Sequence, residues 1–426
     1  MSLKHMREAW GITNNPFPPA AIGGEDSSTA PYNDTILAED HDLFLEKLII
    51  KAALPPGREF GYLWSQGKRD DTGFGKTTLM RKVSRELNAD LGKSLVDQFS
   101  LPKTLTMAAI WSSMTTTGVT GIYALLFNVL TEAAKRPDAG EPSLLEKCWE
   151  RIADASGKKI TDPDFAMEVS RRITDVHGKL FPGYPALRED VVQALTSADN
   201  KTVLSSLSEV TQAARARNGL AYFDALYCVL RAADVEHFFV FIDQLEDLAT
   251  AKNVARATRQ REVGRFRDIF AETAGFRGHC HAVFTFHNRA ALALADFWQQ
   301  ERLNPPFWPQ DPMGRPAIVV LKGLASTTQV EALLATYLDS VRDVPTGTAE
   351  PFEPSAFQPL LDRCEGRIGH LLAEAYAVLD QAAEASLPSI PGSFITNSLP
   401  GVPDAESEGE ASSDQDTLEA LWNTKS

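Results

Sequence analysis

The sequence predicts an α/β fold, in which a parallel sheet flanked by helices carries a helical insertion and a small helical lid. Two apolar runs carry this prediction: residues 62–64 lead into the glycine-containing segment 73–78, and residues 238–242 end in acidic residues. Runs of consecutive apolar residues are typical of strands that are buried on both faces of a parallel sheet. Stretches with helical periodicity between and after these runs supply the flanking helices, the insertion and the lid.

Residues 73–78 have the composition of a loop that binds phosphate groups. Glycines let the backbone approach a triphosphate closely, and the helix that follows would direct its positive N-terminal end at the phosphates. In this arrangement Lys76 would reach the β- and γ-phosphates, and Thr77 would ligate Mg²⁺. The predicted nucleotide-binding residues are Gly73, Phe74, Gly75, Lys76, Thr77 and Thr78.

The first half of this loop departs from the usual GxxxxGK[ST] pattern. Asp70 stands five residues before Gly75, where the pattern has glycine, and the next glycine upstream is Gly67. We therefore expect a loop that is about three residues longer than the usual form. A GKTT sequence at the start of a helix also arises by chance, so the interpretation depends on a second site in the chain.

The second site is the acidic end of the apolar run at residues 238–242. In the predicted sheet Asp243 follows a buried strand, where it would hold Mg²⁺ through water, and Glu246 would polarise the attacking water. The alternative is that Asp243 only caps the helix that follows. The two segments occur in the order of a P-loop NTPase, so ATP and Mg²⁺ are the expected cofactors and ATP hydrolysis is the expected activity.

Two further segments offer polar residues that could sense the γ-phosphate. Residues 281–288 form another apolar strand whose last residue, Asn288, would contact the γ-phosphate or the attacking water; with equal weight, Asn288 only begins a turn. Residues 317–324 precede a helix-compatible stretch at 328–341. Arg367 begins a helix of the predicted lid, from which it would swing onto the nucleotide phosphates.

The other predicted elements surround this core. Residues 1–39 are rich in Gly, Pro, Ser and Asn and are predicted to form an irregular arm that packs through Trp10 and Phe17. The core spans residues 40–325 and the lid spans residues 326–385. In the first part of the core, helices are predicted at 42–53, 79–87 and 122–134, and a strand is predicted at 105–113. The helical insertion at about 137–233 has predicted helices at 143–155, 165–181 and 203–214.

Composition narrows the class of protein. Of the 426 residues 43% are hydrophobic, yet no run approaches the roughly 20 apolar residues of a membrane span, and no apolar signal-peptide core follows Met1. The four cysteines are scattered singly, which favours a reducing compartment and a cytoplasmic location. His279 and His281 flank Cys280; a metal site there is an alternative to ordinary strand residues, which the sequence favours.

Charge is unevenly distributed along the chain. The formal net charge of −15 disfavours nonspecific polyanion binding by the whole protein. From Lys252 to Asp268, however, six basic residues face two acidic ones on a predicted helix. This helix would touch a nucleic-acid backbone or supply an arginine finger to a neighbouring subunit, with Arg265, Arg267 and Arg289 as candidates. The alternative is a solvated helix face with internal ion pairs.

Residues 386–426 are predicted to form an acidic flexible tail. Seven acidic residues face one lysine there, and Ser, Pro and Gly are frequent. Near its end, residues 416–423 place Leu418, Leu421 and Trp422 on one side of a short predicted helix. Such a stripe on a flexible tether is typical of a peptide that docks on partners, so other protein subunits are expected partners. The alternative is that these are stray hydrophobic residues of a chain terminus.

Taken together, these segments resemble an AAA+ P-loop ATPase of the origin-recognition and STAND-like branch, over roughly residues 40–385. The resemblance implies a Walker A motif at residues 73–78 and a Walker B motif at residues 243–246. It also implies sensor 1 at Asn288 and sensor 2 at Arg367.

Two shorter segments add to the resemblance. Asp243 and Gln244 followed by Glu246 are similar to the Asp-Gln-x-Glu sequence of several STAND ATPases. Trp10 with the Asn-Pro-Phe sequence at residues 15–17 looks like the N-terminal element that packs near the adenine in transposition and secretion ATPases of this type.

The implied function is a nucleotide-driven molecular switch that works as an oligomer within a multi-protein system. Antiphage defence, mobile-element regulation and other DNA transactions are the settings that the resemblance suggests. The alternative is a non-hydrolysing scaffold, in which bound nucleotide stabilises the fold while the insertion and the tail recruit partners. A small-molecule kinase fits less well, because the Asp-x-x-Glu strand end suits activation of water.

Overall fold

The centre of the computed structural model is a parallel sheet of five strands. The structure describes residues 2–19, 37–55, 57, 59–65, 73–114, 121–137, 140–245, 248, 255–285, 296–297 and 317–398. The strands are β1 (Phe60–Ser65), β2 (Met107–Ser113), β3 (His237–Asp243), β4 (Cys280–Thr285) and β5 (Ile318–Leu321). Their order across the sheet is β2-β3-β4-β1-β5, and helices flank it. The prediction of an α/β fold with a parallel sheet is therefore confirmed.

The strands are apolar because the sheet is covered on both faces. Every residue of β3 and β4 is buried, as expected for interior strands of a parallel sheet. The strand predicted at 238–242 is present and is one residue longer at each end. In the register of β2 with β3, Ser113 lies beside Asp243, so the carboxyl ends of these strands meet at one edge.

Helices fill the connections between the strands. Before β2 they are α1 (Ser2–Trp10), α2 (Ala38–Phe44), α3 (Lys51–Ala53), α4 (Lys76–Asp90) and α5 (Lys93–Gln98). Between β2 and β3 they are α6 (Ile122–Ala134), α7 (Leu144–Ser156), α8 (Phe165–Leu180), α9 (Glu189–Thr196), α10 (Asn200–Ser208) and α11 (Gln212–Ala232). After β3 they are α12 (Arg256–Arg267), α13 (Thr327–Asp339), α14 (Pro354–Cys364), α15 (Ile368–Glu384) and α16 (Gly392–Ser398). Within the described part of the chain, no helix has both the length and the apolar character to cross a membrane.

Four predicted elements differ from the structure. The flexible tail predicted at 386–426 is wrong over its first residues, because Ile390 and Ile395 are fully buried in an apolar core and Gly392–Ser398 form helix α16. The helix predicted at 203–214 is wrong: α10 ends at Ser208, and Thr211 starts a new helix because its side chain accepts a hydrogen bond from the Ala214 N–H. The irregular arm predicted at 1–39 begins with a regular helix, α1. The helix predicted at 42–53 is present, but residues Leu45–Ile50 form a π-helical segment between α2 and α3.

Contacts divide the chain into two compact units. The first comprises residues 1–43, 64–79 and 320–426, and the second comprises residues 44–63 and 80–319. In the first unit the N-terminal segment joins the apolar core of the predicted lid, since Phe17 stacks on Tyr337 with ring centroids 5.8 Å apart. Trp10 adds an indole N–H that donates to the Pro388 carbonyl at 3.1 Å. The predicted packing through Trp10 and Phe17 is thus present; Tyr337 belongs to the predicted lid, whereas Pro388 belongs to the segment that was predicted as tail.

In the second unit, α6 and α11 pack closely against each other. Gly219 of α11 lies directly on the backbone of Tyr123 in α6, where a Cβ would come within 1.7 Å of the Tyr123 carbonyl oxygen. Beside this contact, the rings of Phe127 and Tyr222 meet at 4.8 Å in an edge-to-face arrangement. The absence of a side chain at Gly219 therefore sets the distance between the two helices.

Asp224 of α11 should make folding stability depend on pH. Burial raises the pKa of this carboxyl to about 7, whereas the unfolded value is about 3.9. The folded state therefore holds more protons, so the free energy of unfolding should fall as pH rises from about 4 to about 7. We expect Asp224→Asn to be more stable than wild type at pH 8, by on the order of 2 kcal/mol, and nearly equal at pH 4. Urea unfolding of both proteins at the two pH values measures this; equal gains at both would contradict it.

Candidate functional site

The segment at residues 73–78 forms a tight loop at the start of α4. Gly73 and Gly75 have φ angles of +80° and +88°, in the left-handed region that favours glycine. Lys76 is the first residue of α4, and its ammonium group donates to the hydroxyl of Ser65 at 2.8 Å. Because Ser65 is the last residue of β1, this hydrogen bond holds the lysine charge at the carboxyl end of that strand.

Phe74 has an anchoring role in this loop. Its side chain is only 2% exposed, and it lies against Gly323, where an added Cβ would come within 2.9 Å of the phenyl ring. Gly323 has a φ angle of +72°, so both its conformation and its surroundings require glycine. With its side chain buried in this way, Phe74 can offer only its backbone to a phosphate group.

The N-terminal end of α15 rests on the loop. The N–H of Gly369 donates to the carbonyl of Gly73 at 2.8 Å. An added Cβ on Gly75 would lie 3.6 Å from Ile368 and 3.8 Å from Leu37, so apolar side chains border the loop on this side. The predicted lid and the predicted phosphate loop are therefore in direct contact within the first unit.

Arg367 occupies the N-cap position of α15, immediately before this contact. Its Nε donates to the carbonyl of Cys364 at 3.3 Å, and its guanidinium also lies 3.5 Å from the carboxylate of Glu365. The side chain is 15% exposed. The sequence prediction placed Arg367 near phosphate groups; in the structure its backbone adjoins the loop, and its side chain would have to rotate away from Cys364 to reach a ligand there.

In the second unit, Asp243 ends β3 as a buried and well-oriented carboxylate. It is 3% exposed, and one of its oxygens accepts a hydrogen bond from the hydroxyl of Thr285 at 2.6 Å. The same oxygen accepts from the Gln244 N–H at 3.0 Å, and the other accepts from the indole N–H of Trp111 at 3.3 Å. Donors on β2 and β4 thus hold the carboxylate of Asp243 in one orientation.

The backbone turns sharply just after Asp243. Gln244 has a φ angle of +57°, and its N–H also lies 3.2 Å from the Thr285 hydroxyl. The side-chain oxygen of Gln244 accepts a hydrogen bond from the hydroxyl of Ser113. A non-glycine residue in the left-handed region is uncommon and is often found at functional sites, where surrounding contacts maintain it.

Sequence reasoning missed Thr285 and Trp111. Thr285 has a weak signal, since it is the first hydroxyl after the apolar run at 282–284. Trp111 has no signal in the sequence, because its contact with Asp243 depends on the pairing of β2 with β3. The guanidinium of Arg81 also lies over the Trp111 ring, 3.9 Å from its centroid.

Several predicted residues lie outside the described part of the chain. They are Glu246, Asn288, Arg289, Lys252, Leu418, Leu421 and Trp422. The predicted general base, the sensor amide and the docking stripe therefore stay predictions.

The arginine-rich helix α12 has internal partners. Arg265 donates to Glu262 at 2.6 Å and lies over the Tyr123 ring at 4.0 Å. Arg267 pairs with Asp268 at 2.8 Å. These contacts favour the alternative of internal ion pairs for the two described finger candidates.

Glu262 is a buried acidic residue of this helix, and its two carboxylate oxygens have different partners. It is 2% exposed, and its second oxygen accepts from the Ile122 N–H at 2.9 Å, at the N-terminal end of α6. A carboxylate at a helix N-terminus satisfies a backbone donor and meets the positive end of the helix dipole. Glu262 and Arg265 therefore connect α12 to α6 within the second unit.

A scan of protein-family models and a search of curated proteins both find no match to this chain.

Proposed function

We propose that the chain is an ATP-binding and ATP-hydrolysing molecular switch of the AAA+ and STAND-like type. The observation that carries this proposal is the loop at the start of α4. Two glycines in left-handed conformations and a lysine at the first helical position, held at the end of a parallel strand, are the features of a phosphate-binding loop. A chance GKTT sequence would not need that backbone conformation.

The topology of the sheet gives a second line of support. β4 pairs with both β1 and β3, and Leu63 of β1 aligns with Thr285 of β4. Thr285 in turn donates to Asp243, so β1, β3 and β4 all end at one edge. Ligands of open α/β sheets bind outside the carboxyl ends of the strands. By resemblance to P-loop ATPases, the loop that follows β1 and the carboxylate that ends β3 are proposed to serve one nucleotide.

The chain's own residues supply the functional groups for hydrolysis. In the proposed site Lys76 leaves Ser65 and donates to the β- and γ-phosphates, and Glu246 accepts a proton from the attacking water. Thr77 and Asp243 would hold Mg²⁺, whose preferred ligands are hydroxyl, carboxylate and water oxygens. When bound, this ion neutralises phosphate charge.

The contact between Gly369 and Gly73 supports a switch function. A phosphate group bound in the loop would accept hydrogen bonds from the backbone of the loop, which α15 also contacts through the Gly369–Gly73 hydrogen bond. Arg367 would then rotate onto the γ-phosphate. Loss of that phosphate would release Arg367 and with it the start of α15. The proposed output is therefore a change in the lid that other protein subunits detect.

The wider setting of this switch is also part of the proposal. By resemblance, we infer an oligomeric, cytoplasmic protein that acts in antiphage defence or mobile-element regulation. The tail, through Leu418, Leu421 and Trp422, would recruit the partner, and the segment from Lys252 to Arg267 would meet nucleic acid.

Titration of the purified full chain with ATP tests the proposal directly. We expect saturable binding that requires Mg²⁺, followed by release of phosphate, measured by calorimetry and by a coupled phosphate assay. Because a neighbouring subunit would supply an arginine finger only in an oligomer, turnover should be measured across a range of protein concentrations. Absence of ATP and GTP binding in the presence of Mg²⁺ at every concentration would overturn the proposal.

A second candidate function is a nucleotide-bound scaffold that does not hydrolyse ATP. One observation favours it: protein donors occupy both carboxylate oxygens of Asp243. Because protein donors already engage both oxygens, this carboxylate has less acceptor capacity left for Mg²⁺ or its bound water than a solvent-facing one would have. Recovery of intact ATP from the bound state after many hours, at all protein concentrations, would support the scaffold and rule out the switch.

A further inference from the structure

Three potential metal ligands lie close together at the amino-terminal ends of the strands, opposite the edge that carries Asp243. Glu236, His237 and His279 each offer a ligand atom, and these atoms lie within 4.8 Å of one another. The group stands at the amino-terminal ends of β3 and β4, whereas Asp243 and Thr285 stand at the carboxyl ends. It is therefore separate from the proposed nucleotide site.

Strand pairing brings these three residues together. Phe238 aligns with Cys280, and the Phe238 N–H donates to the His279 carbonyl at 2.8 Å. The residues one position earlier, His237 and His279, are consequently neighbours, and their ring centroids lie 5.5 Å apart. The position of Glu236 is fixed as well, because its N–H donates to the Thr106 hydroxyl at 2.9 Å.

A second imidazole orients His237. Nδ1 of His237 lies 3.0 Å from Nε2 of His281, and the two rings stack with centroids 5.3 Å apart. In the tautomer with the proton on Nδ1 of His237, this nitrogen donates to His281 and Nε2 carries the lone pair. Metal-binding histidines usually donate their second ring nitrogen in this way, which fixes the tautomer and the ring orientation.

His279 provides an independent observation. Its Nδ1 is buried and has no hydrogen-bond partner among the residues that the structure describes. A buried polar atom without a partner is unfavourable, and an ion or water molecule is a usual explanation for one. An ion held by this nitrogen together with Glu236 and His237 would account for both observations.

We propose that Glu236, His237 and His279 form a binding site for a divalent transition-metal ion, with Zn²⁺ as the best match. Two imidazole nitrogens and a carboxylate are a known ligand set for zinc, with water in the fourth position. Glu236 and His279 are only partly buried, which gives an ion a path from solvent. Cys280 is excluded as a ligand because successive side chains of a strand point to opposite faces.

The charges around the site are mixed. Burial lowers the pKa of both His237 and His279, and the positive charge of Arg231 adds to this effect. Arg231 also donates to the carbonyl of Glu236 at 2.6 Å. The positive charge of Arg231 disfavours binding of a dication, and the negative charge of the Glu236 carboxylate offsets this repulsion. We therefore expect binding that depends strongly on Glu236.

The proposed ion would have a structural role. It would tie the first residue of β3 to the residue before β4, at roughly 20 Å from the strand ends that carry Asp243 and Thr285, given about 3.3 Å per residue. Bound metal stabilises only the folded state, so it should raise the melting temperature without taking part in ATP chemistry.

The test uses the metal-free full chain and two probes, Zn²⁺ and Co²⁺. We expect saturable uptake of a single equivalent, a rise in Tm of about 3 °C at saturating Zn²⁺, and a Co²⁺ spectrum without a thiolate charge-transfer band. A chain that takes up neither ion, or a spectrum with a thiolate band, would overturn the proposal.

Variants locate the site. Glu236→Gln and His281→Ala should each weaken Zn²⁺ binding by about tenfold or more, the second through loss of orientation of His237. Cys280→Ala is the matched control, because it changes the residue between the two histidines and should keep wild-type affinity. Equal affinity in Glu236→Gln and Cys280→Ala would place the ion elsewhere and refute the proposal. Since glutamine keeps the shape of glutamate, Glu236→Gln is expected to fold even if His279→Ala does not.

Discussion

Replacing Lys76 by alanine should weaken ATP binding by about 10- to 100-fold and lower turnover by a factor of about 10² to 10³. In the structure the Lys76 ammonium sits on Ser65, beside the N-terminal end of α4. In the proposed complex it moves onto the β- and γ-phosphates, where no other described side chain of the loop carries a positive charge. Alanine would leave that phosphate charge to the backbone N–H groups alone. Calorimetry with ATP and Mg²⁺ measures the first effect, and steady-state phosphate release measures the second.

Two further variants make this result specific. Lys82→Ala removes a lysine from the same helix, one that lies 3.5 Å from Glu86, and should leave binding and turnover within about twofold of wild type. Glu246→Gln should bind ATP with nearly unchanged affinity but lose turnover, because an amide cannot accept the proton of the attacking water. Wild-type affinity in Lys76→Ala would contradict the assignment of the loop. Wild-type turnover in Glu246→Gln would move the general base to another residue.

The sequence predicted those parts of the fold that depend on local patterns. An unbroken apolar run was sufficient to locate β3, because such runs are typical of strands covered on both faces. Helix α6 begins and ends at the predicted residues, 122 and 134, since its apolar residues repeat with a helical period. The single predicted helix at 203–214 failed because the capping hydroxyl of Thr211 interrupts a pattern that periodicity alone would continue.

The candidate site could be predicted only in part, and for a physical reason. Gly75, Lys76 and Asp243 belong to short motifs whose chemistry is visible in the residues themselves. Trp111 and Thr285 contact Asp243 across 132 and 42 residues of chain, and only the order of strands in the sheet brings them there. The contact between Gly369 and Gly73 is of the same kind, because nothing in the sequence near either glycine refers to the other.

Replacing Gly219 by alanine is expected to reduce the free energy of unfolding by about 3 kcal/mol or more. The new Cβ would lie 1.7 Å from the carbonyl oxygen and 2.4 Å from the carbonyl carbon of Tyr123. Both are backbone atoms inside a helix, so no side chain can rotate away, and α6 and α11 would have to separate. That separation would also weaken the ring contact between Phe127 and Tyr222. Urea denaturation measures the loss as a lower midpoint with an unchanged slope.

Gly178 provides the matched control, because its replacement by alanine makes the same chemical change in open space. It lies in α8, and an added Cβ would meet no atom within 4 Å. Alanine is the better helix former, so Gly178→Ala should raise the free energy of unfolding by about 0.5 to 1 kcal/mol. The two substitutions thus have opposite predicted signs, although each adds one methyl group to a helix of the second unit. A stabilising Gly219→Ala would mean that α6 and α11 do not approach as closely as the structure has them, because helix propensity would then outweigh packing at that position.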